Sequence, residues 1–327
     1  MSESFPVLRA AVVQAAPVLF DRAATVDRIA DLTATAAAQD ARLVVFPEAF
    51  VPAYPRGLGF GAVVGSRSEA GRELFARYWA ASVDVPGADT VRMGEIARQH
   101  GVVLAVGVIE REPGMGPGTL YCSVLYFGPD GKLLGKHRKL KPTGSERLIW
   151  GEGDGSTLTV IDSEWGRIGG LICWENYMPL ARAAMYEKGV SFYLAPTADC
   201  RDTWQATLCH IATEGRCFVL GCNQYVRRQD YPEDLATSAE LMRLPEEVCR
   251  GGSAIYSPMG ECISGPLYGE EGILFADLDT GAIARARYDF DAVGHYARPD
   301  VFRLLVNEGP AAATTWSAPS DTSKSSP

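Results

Sequence analysis

The sequence has only four histidines (His100, His137, His210 and His295), no HExxH and no CxxC pair. Catalytic metal sites built on those spacings are therefore not expected. Eight cysteines in 327 residues are too sparse for a disulfide scaffold. The closest two, Cys217 and Cys222 in CFVLGC, would point to opposite faces of a strand and so cannot share a metal. No apolar run approaches the ~18 residues of a membrane-spanning helix. MSESFPVLRA lacks a basic segment followed by an apolar one, so no export signal is expected and a reducing cytoplasm is the simplest compartment. Positive charge is also in deficit. Thirty-one Lys and Arg against 40 Asp and Glu leave a net charge of −9, which argues against nucleic acid and anionic membranes as partners.

What is present is ordinary globular material, 47% hydrophobic, in a chain long enough to bury about three quarters of its unfolded surface. The reading is one alternating α/β domain over residues 1–308 and a Pro/Ser/Thr/Ala-rich tail over 309–327, expected to be disordered. Strands are expected at Leu8 to Ala16, in ARLVVFPEAF up to Pro47, at Gly101 to Glu110, at Ser156 to Asp162, at Gly166 to Cys173, at Ser191 to Pro196 and in CFVLGC. A hairpin should turn about Pro129-Asp130-Gly131, and PGMGPG (Pro113 to Gly118) reads as turn chemistry. Helices are expected over 21–38, 88–99, 178–188 and 202–215. Residues 226–250 read as a long loop, and SAIYSP, ECISGP and GILFADLD as late strands. Strands alternating with helices, then paired, imply sheets covered by helices.

Three reactive residues follow apolar strands abruptly. Glu48, just beyond VVFP, is a solvated turn acid or a general base whose pKa partial burial would raise. Lys139, in GKHRKLKP, is a solvated hairpin end or an inward ammonium opposing anionic intermediates; Arg138 would then face the other way. Cys173 ends GRIGGLIC before a polar break and a helix. Most free cysteines are small core residues, but one aimed at by a helix N-terminus would have a depressed pKa and a nucleophilic sulfur. The N–H after it would be a natural oxyanion donor. The carboxyl ends of strands in an open α/β fold converge on one crevice, so the three can meet.

FPEAF, KHRKLKPTGSER and GGLICWENYMPL resemble the Glu, Lys and Cys motifs of the nitrilase (carbon–nitrogen hydrolase) superfamily. The likeness runs from about Leu8 to Leu305. YPRG, IWGEGDGST, APTADCRDTWQ, EGRCFVLGCNQY and FDAVGHYARPDVF are similar to the true nitrilases, which turn nitriles into acids. FPE alone is a weak signal; the whole set in order, with CWEN after LI, is a specific one.

The resemblance implies a four-layer αββα sandwich, paired into a homodimer and in many nitrilases extended into spirals or filaments. It implies Glu48 as general base, Lys139 as charge stabiliser, Cys173 as nucleophile and Glu146 as an auxiliary acid that positions substrate. Trp174 would lend its backbone N–H and a pocket wall, with Tyr54 and Trp204 as candidate pocket aromatics; Glu175 would be structural. The partners implied are a small-molecule nitrile and water, with no cofactor, and the substrate class is an aromatic, arylacetonitrile or β-cyano-amino-acid nitrile, hydrolysed through a thioimidate and a thioester. Helices 178–188 and 202–215 would pack against their mates. Open alternatives are an amidase of the same superfamily, a cyanide-hydrolysing relative, a papain-like dyad of Cys173 with His137 or His210, and a non-enzymatic thiol sensor. His210 and Glu214 are i,i+4 neighbours but lack a third metal ligand.

Overall fold

In the first strand alternate side chains part company: Leu8, Ala10 and Val12 enter one core, Ala11 and Val13 another. The computed structural model describes residues 5–111 and 118–311. It opens with β1 (Val7–Gln14), α1 (Arg22–Ala37) and β2 (Leu43–Val45). A short hairpin of β3 (Ala62–Val63) and β4 (Ser66–Arg67) precedes α2 (Glu69–Ala81), β5 (Val83–Asp84) and α3 (Ala88–His100). β6 (Val103–Arg111), β7 (Leu120–Phe127) and β8 (Leu133–Arg138) complete the first half. The second half begins with β9 (Val160–Ser163), β10 (Gly166–Gly170), α4 (Pro179–Glu187), β11 (Val190–Thr197) and α5 (Thr203–Gly215). It continues through β12 (Phe218–Asn223), β13 (Tyr225–Arg227), α6 (Glu233–Ala236), β14 (Glu247–Tyr256), β15 (Cys262–Tyr268), β16 (Gly272–Asp279) and α7 (Gly281–Asp289).

Apart from the β3-β4 hairpin, the strands form two seven-stranded sheets. One runs β16-β1-β2-β6-β7-β8, with β5 also on β6; the other runs β13-β14-β12-β11-β10-β9, with β15 on β14. Each has a parallel centre, β1-β2-β6 and β10-β11-β12, flanked by antiparallel strands. Leu8, Val45 and Val124 of the first sheet meet Ile168, Phe192 and Phe218 of the second in a shared inner core. Phe192 and Phe218 stack with ring centroids 6.0 Å apart; each such burial is worth about 1.5–3 kcal/mol.

The outer faces are covered by helices. Val26 and Ile29 of α1 and Met93 and Ile96 of α3 pack on Val44, Leu104 and Val106. On the other side Met185 of α4 and Leu208 and Ile211 of α5 pack on Tyr193 and Val219. The layers are therefore α, β, β, α, the expected sandwich. Local signals set the helix ends: Asp21 caps α1 by accepting the Ala24 N–H at 3.0 Å, and Pro179 opens α4.

Some expectations need correction. Residues 226–250 are not simply loop: β13, α6 and the start of β14 occupy them, with Val226 paired to Cys249. Helices α2 and α7 were not anticipated; each buries only three residues, so the periodic signal is thin. The turn expected at 113–118 lies, except for Gly118, outside the described residues. So does the tail from 312 onward. The last described residue, Ala311, donates its N–H to Asp154 Oδ2 at 2.7 Å. No described helix is long and apolar enough to cross a membrane.

Candidate active site

Glu48 sits three residues past β2, in the loop that turns over β6. Gly107 of β6 makes the crossing possible: a Cβ there would come within 2.0 Å of Pro47 O and 2.8 Å of Glu48 Cα. From the loop's far side Gln224 Nε2 donates to Glu48 O at 2.7 Å. Lys139 directly follows β8, and its N–H is held by Cys122 O at 2.8 Å. It turns inward while Arg138 turns to Glu110, 2.6 Å away, so the two faces are used as the alternation requires. Cys173 lies three residues past β10 of the other sheet, in the left-handed region with φ +53°. This is a sharp strand-to-turn elbow that presents its sulfur at the seam.

Glu48, Lys139 and Cys173 are 0%, 1% and 5% exposed. Lys139 Nζ donates to Glu48 Oε1 at 2.6 Å and to Glu146 Oε2 at 2.8 Å. Glu146 also accepts the Tyr54 hydroxyl at 2.6 Å and the Thr143 N–H at 2.6 Å. Glu48 Oε2 is buried and has no hydrogen-bond partner among the described residues. Cys122 Sγ approaches Oε1 at 3.5 Å. Cys173 Sγ accepts the Thr197 hydroxyl at 3.2 Å.

Burial raises the Glu48 pKa above the ordinary carboxylate value, against the pull of Lys139. Lys139 is lifted well above its usual value: burial would lower it, but Glu48 together with Cys173, Cys122 and Glu146 outweighs that, so the amine stays an ammonium. The Cys173 thiol is pushed up to about 12 by burial and by Glu48, with Lys139 and the Thr197 bond opposing. This corrects the expected depression. Only a five-residue 3₁₀ turn, Cys173–Tyr177, follows the sulfur, and α4 begins at Pro179. Desolvation beside a carboxylate therefore wins, and the resting sulfur is a thiol next to a base.

A cavity of about 280 Å³ opens onto Cys173, lined by Tyr54, Arg56, Thr143, Glu146, Trp174 and the Ala198–Arg201 loop. Trp174 forms a wall, its Nε1 donating to Asp199 Oδ2 at 2.8 Å and the Arg201 guanidinium lying 4.6 Å over its ring. As the second residue of the 3₁₀ turn, Trp174 has an N–H without an acceptor inside that turn. Arg56 donates to Ala198 O and pairs with no carboxylate among the described residues. A second cavity of about 380 Å³ adjoins, sharing Tyr54, Arg56 and Glu146.

The structure thus brings together Glu48, Lys139, Glu146, Cys173, Tyr54 and Trp174. It does not bring Trp204. That side chain is 1% exposed in the outer core with Leu208 and Ile211, its i+4 and i+7 neighbours, and does not line the cavity. The helical spacing was visible; the residues of APTADCRDTWQ that line the cavity are instead Ala198 to Arg201, and Thr197 reaches the sulfur. Thr197, Cys122, Gln224 and Arg56 were missed. Arg56, Thr197 and Gln224 stand inside quoted motifs, but none has a local pattern that marks it.

The histidines do not serve the sulfur. His137 is buried with Nδ1 donating to Thr157 O at 2.9 Å and Nε2 facing Glu175 Oε2 at 3.0 Å. His210 is exposed beside Glu214 at 3.5 Å. Among the described residues no group of three His, Cys, Asp or Glu side chains is placed to hold a metal ion.

A family profile described as carbon-nitrogen hydrolase matches residues 9–288. An aliphatic nitrilase of Sinorhizobium fredii (strain HH103) is 54% identical over 306 residues, 93% of this chain and 97% of that one. A bifunctional nitrilase/nitrile hydratase of Nicotiana tabacum, NIT4B, is 50% identical over 329 residues, 100% of this chain and 93% of that one. Among solved structures, Saccharomyces cerevisiae Nit3, a member of branch 10 of the nitrilase superfamily, superimposes with a TM-score of 0.70 at 22% identity, covering 89% of this chain and 96% of that one. An amidase from Nesterenkonia sp. gives 0.63 at 22%, covering 88% and 96%.

Proposed function

The chain belongs to the nitrilases of the carbon–nitrogen hydrolase superfamily, and on that premise we propose that it hydrolyses an organic nitrile to the carboxylic acid and ammonia. The observation that carries the reading is the asymmetry of Glu48. Lys139 occupies one of its oxygens, and the other is buried and unpartnered in the company of the Cys173 thiol. One carboxylate can then take the thiol proton and pass it on.

In the proposed sequence Cys173 Sγ attacks the nitrile carbon as its proton moves to Glu48 and on to the nitrile nitrogen, giving a thioimidate. Glu48 next draws a proton from water, whose oxygen adds to the same carbon, and the nitrogen is protonated. The C–N bond breaks, ammonia leaves and a thioester remains. A second water, activated in the same way, releases the acid and restores the thiol. Lys139 opposes each anionic stage, and the Trp174 N–H supplies a further donor. Glu146 keeps Lys139 aligned through the 2.8 Å contact while the Tyr54 hydroxyl holds Glu146.

For substrate class the reading is a small nitrile of aromatic, arylacetonitrile or β-cyano-amino-acid type. Trp174 and Tyr54 offer faces to an aryl group. Arg56, without a carboxylate partner among the described residues, offers a cation to a cyano amino acid. For assembly the reading is a homodimer through α4 and α5. Leu180 of α4 is 69% exposed, and Tyr177 and Met178 just before it are exposed too.

The test is ammonia release from a panel of aryl, arylacetyl, aliphatic and cyano-amino-acid nitriles with the matching amides alongside. Nitriles should turn over faster than their amides, and Cys173→Ala should abolish turnover with folding retained. Amides turned over faster than nitriles would replace the reading with an amidase. Wild-type-like turnover by Cys173→Ala would remove the mechanism.

A further inference from the structure

Thr197 is the last residue of β11 and is fully buried beside the nucleophile. Its hydroxyl oxygen accepts the Asp199 N–H at 2.9 Å. With that side of the oxygen engaged, its one proton is aimed at Cys173 Sγ, 3.2 Å away. The geometry is rigid, because β11 lies between β10, which delivers Cys173, and β12, both parallel to it. A donor placed on sulfur is strengthened when sulfur carries negative charge. In the hydrolysis proposed above, sulfur enters as a nucleophile and is meant to stay bonded until the final water arrives.

We infer that Thr197 sets how the tetrahedral adduct divides between carboxylic acid and amide. The inference rests on the nitrile-hydrolysis reading and deepens it. In the adduct one carbon carries the Cys173 sulfur, a hydroxyl, an amino group and the rest of the substrate. On the acid branch the C–N bond breaks. The hydroxyl proton is relayed through Glu48 to nitrogen, ammonia departs with the bonding pair, the oxygen closes to a carbonyl and a thioester remains. On the amide branch the C–S bond breaks. Sulfur departs with the bonding pair, the oxygen closes to the amide carbonyl, and the hydroxyl proton is relayed to sulfur to restore the thiol. No oxidant or reductant enters either branch. Only the second builds charge on sulfur, so the Thr197 hydroxyl lowers only the second barrier.

The experiment compares amide and acid released by wild type, Thr197→Val, Thr197→Ala and Thr197→Ser across the nitrile panel. Wild type should release measurable amide. Val and Ala should each cut the amide-to-acid ratio about tenfold, the scale of one hydrogen bond to a charged atom. Ser, which keeps the hydroxyl, should hold the wild-type ratio. The ratio is read only from molecules that turn over, so partial misfolding does not imitate the effect, and either deletion variant suffices. A ratio unchanged or raised in the deletion variants overturns the inference while leaving nitrile hydrolysis standing. Wild type releasing acid alone overturns it as well. Wild type releasing neither product from any nitrile instead defeats the underlying reading.

Discussion

Glu175 Oε2 lies 3.0 Å from His137 Nε2, and the same carboxylate accepts the Leu140 N–H at 2.6 Å and the Ile172 N–H at 2.7 Å. Leu140 follows Lys139 and Ile172 precedes Cys173. One side chain therefore ties the ammonium's loop, on the first sheet, to the thiol's loop on the second. Glu175→Gln strips the counter-charge from a buried imidazolium and should cost about 3–5 kcal/mol. Urea unfolding would show it, and kcat should fall with it. A variant as stable and as active as wild type would contradict the clamp.

The same pair makes stability depend on pH. Both His137 nitrogens face acceptors, so both carry protons. Burial would depress its pKa, but Glu175 more than compensates, and the folded value lies above the usual 6.5. For a raised histidine the stabilisation is complete below the unfolded pKa and is lost as pH rises through the folded one. Thermal melts from about pH 5 to 9 should show the advantage of wild type over His137→Gln shrinking toward alkaline pH. Parallel curves would speak against it.

Glu48 must be ionised to accept a proton, and its pKa is raised, burial outweighing Lys139. The acid limb of kcat/KM should therefore lie above the ordinary carboxylate value of 4.5. Glu48→Gln should lower kcat by about 10²–10⁴ with the circular dichroism spectrum preserved. A profile flat down to the ordinary value would rule out this base.

Thiol reagents should not find the nucleophile first. Cys200, on the cavity wall, is drawn down to about 6 by the neighbouring Cys249 thiol, against burial and with help from Arg56, whereas Cys173 is pushed up to about 12. At neutral pH and without substrate, iodoacetamide should alkylate Cys200 ahead of Cys173. Peptide mass mapping over time gives the order, and labelling of Cys173 first would refute it.

Tyr54 and Trp204 should separate by readout. Trp204→Ala should cost about 3–5 kcal/mol of stability while leaving KM of the folded enzyme alone. Tyr54→Phe should leave stability nearly unchanged but lower kcat/KM, because Glu146 loses its 2.6 Å donor. A KM shift in the Trp204 variant would return that residue to the pocket.

The strand-end placement of Glu48, Lys139 and Cys173 was legible because an apolar run that stops at a reactive residue is a local pattern. So were α1, α3, α4 and α5, whose buried faces are periodic. Thr197 and Gln224 were not, since each acts on a residue from a distant stretch of chain: β10-β11 pairing brings Thr197 to Cys173, and the packing of the two sheets brings Gln224 to Glu48. The thiol pKa was misjudged for a related reason: the helix after Cys173 is a local signal, but the Glu48 charge and the burial that override it are tertiary. Trp204 was misassigned because its motif was read whole, when its own spacing to Leu208 and Ile211 points to the outer core.

The proton-handling groups hang from one sheet and the sulfur from the other. Neither sheet by itself carries both the base and the nucleophile, so neither half of the sandwich holds a working centre alone. Turnover is thus a gauge of how the two halves register against each other. A substitution far out along the inner seam, touching no reactant, reaches the chemistry as soon as it lets one layer slide by a fraction of an ångström.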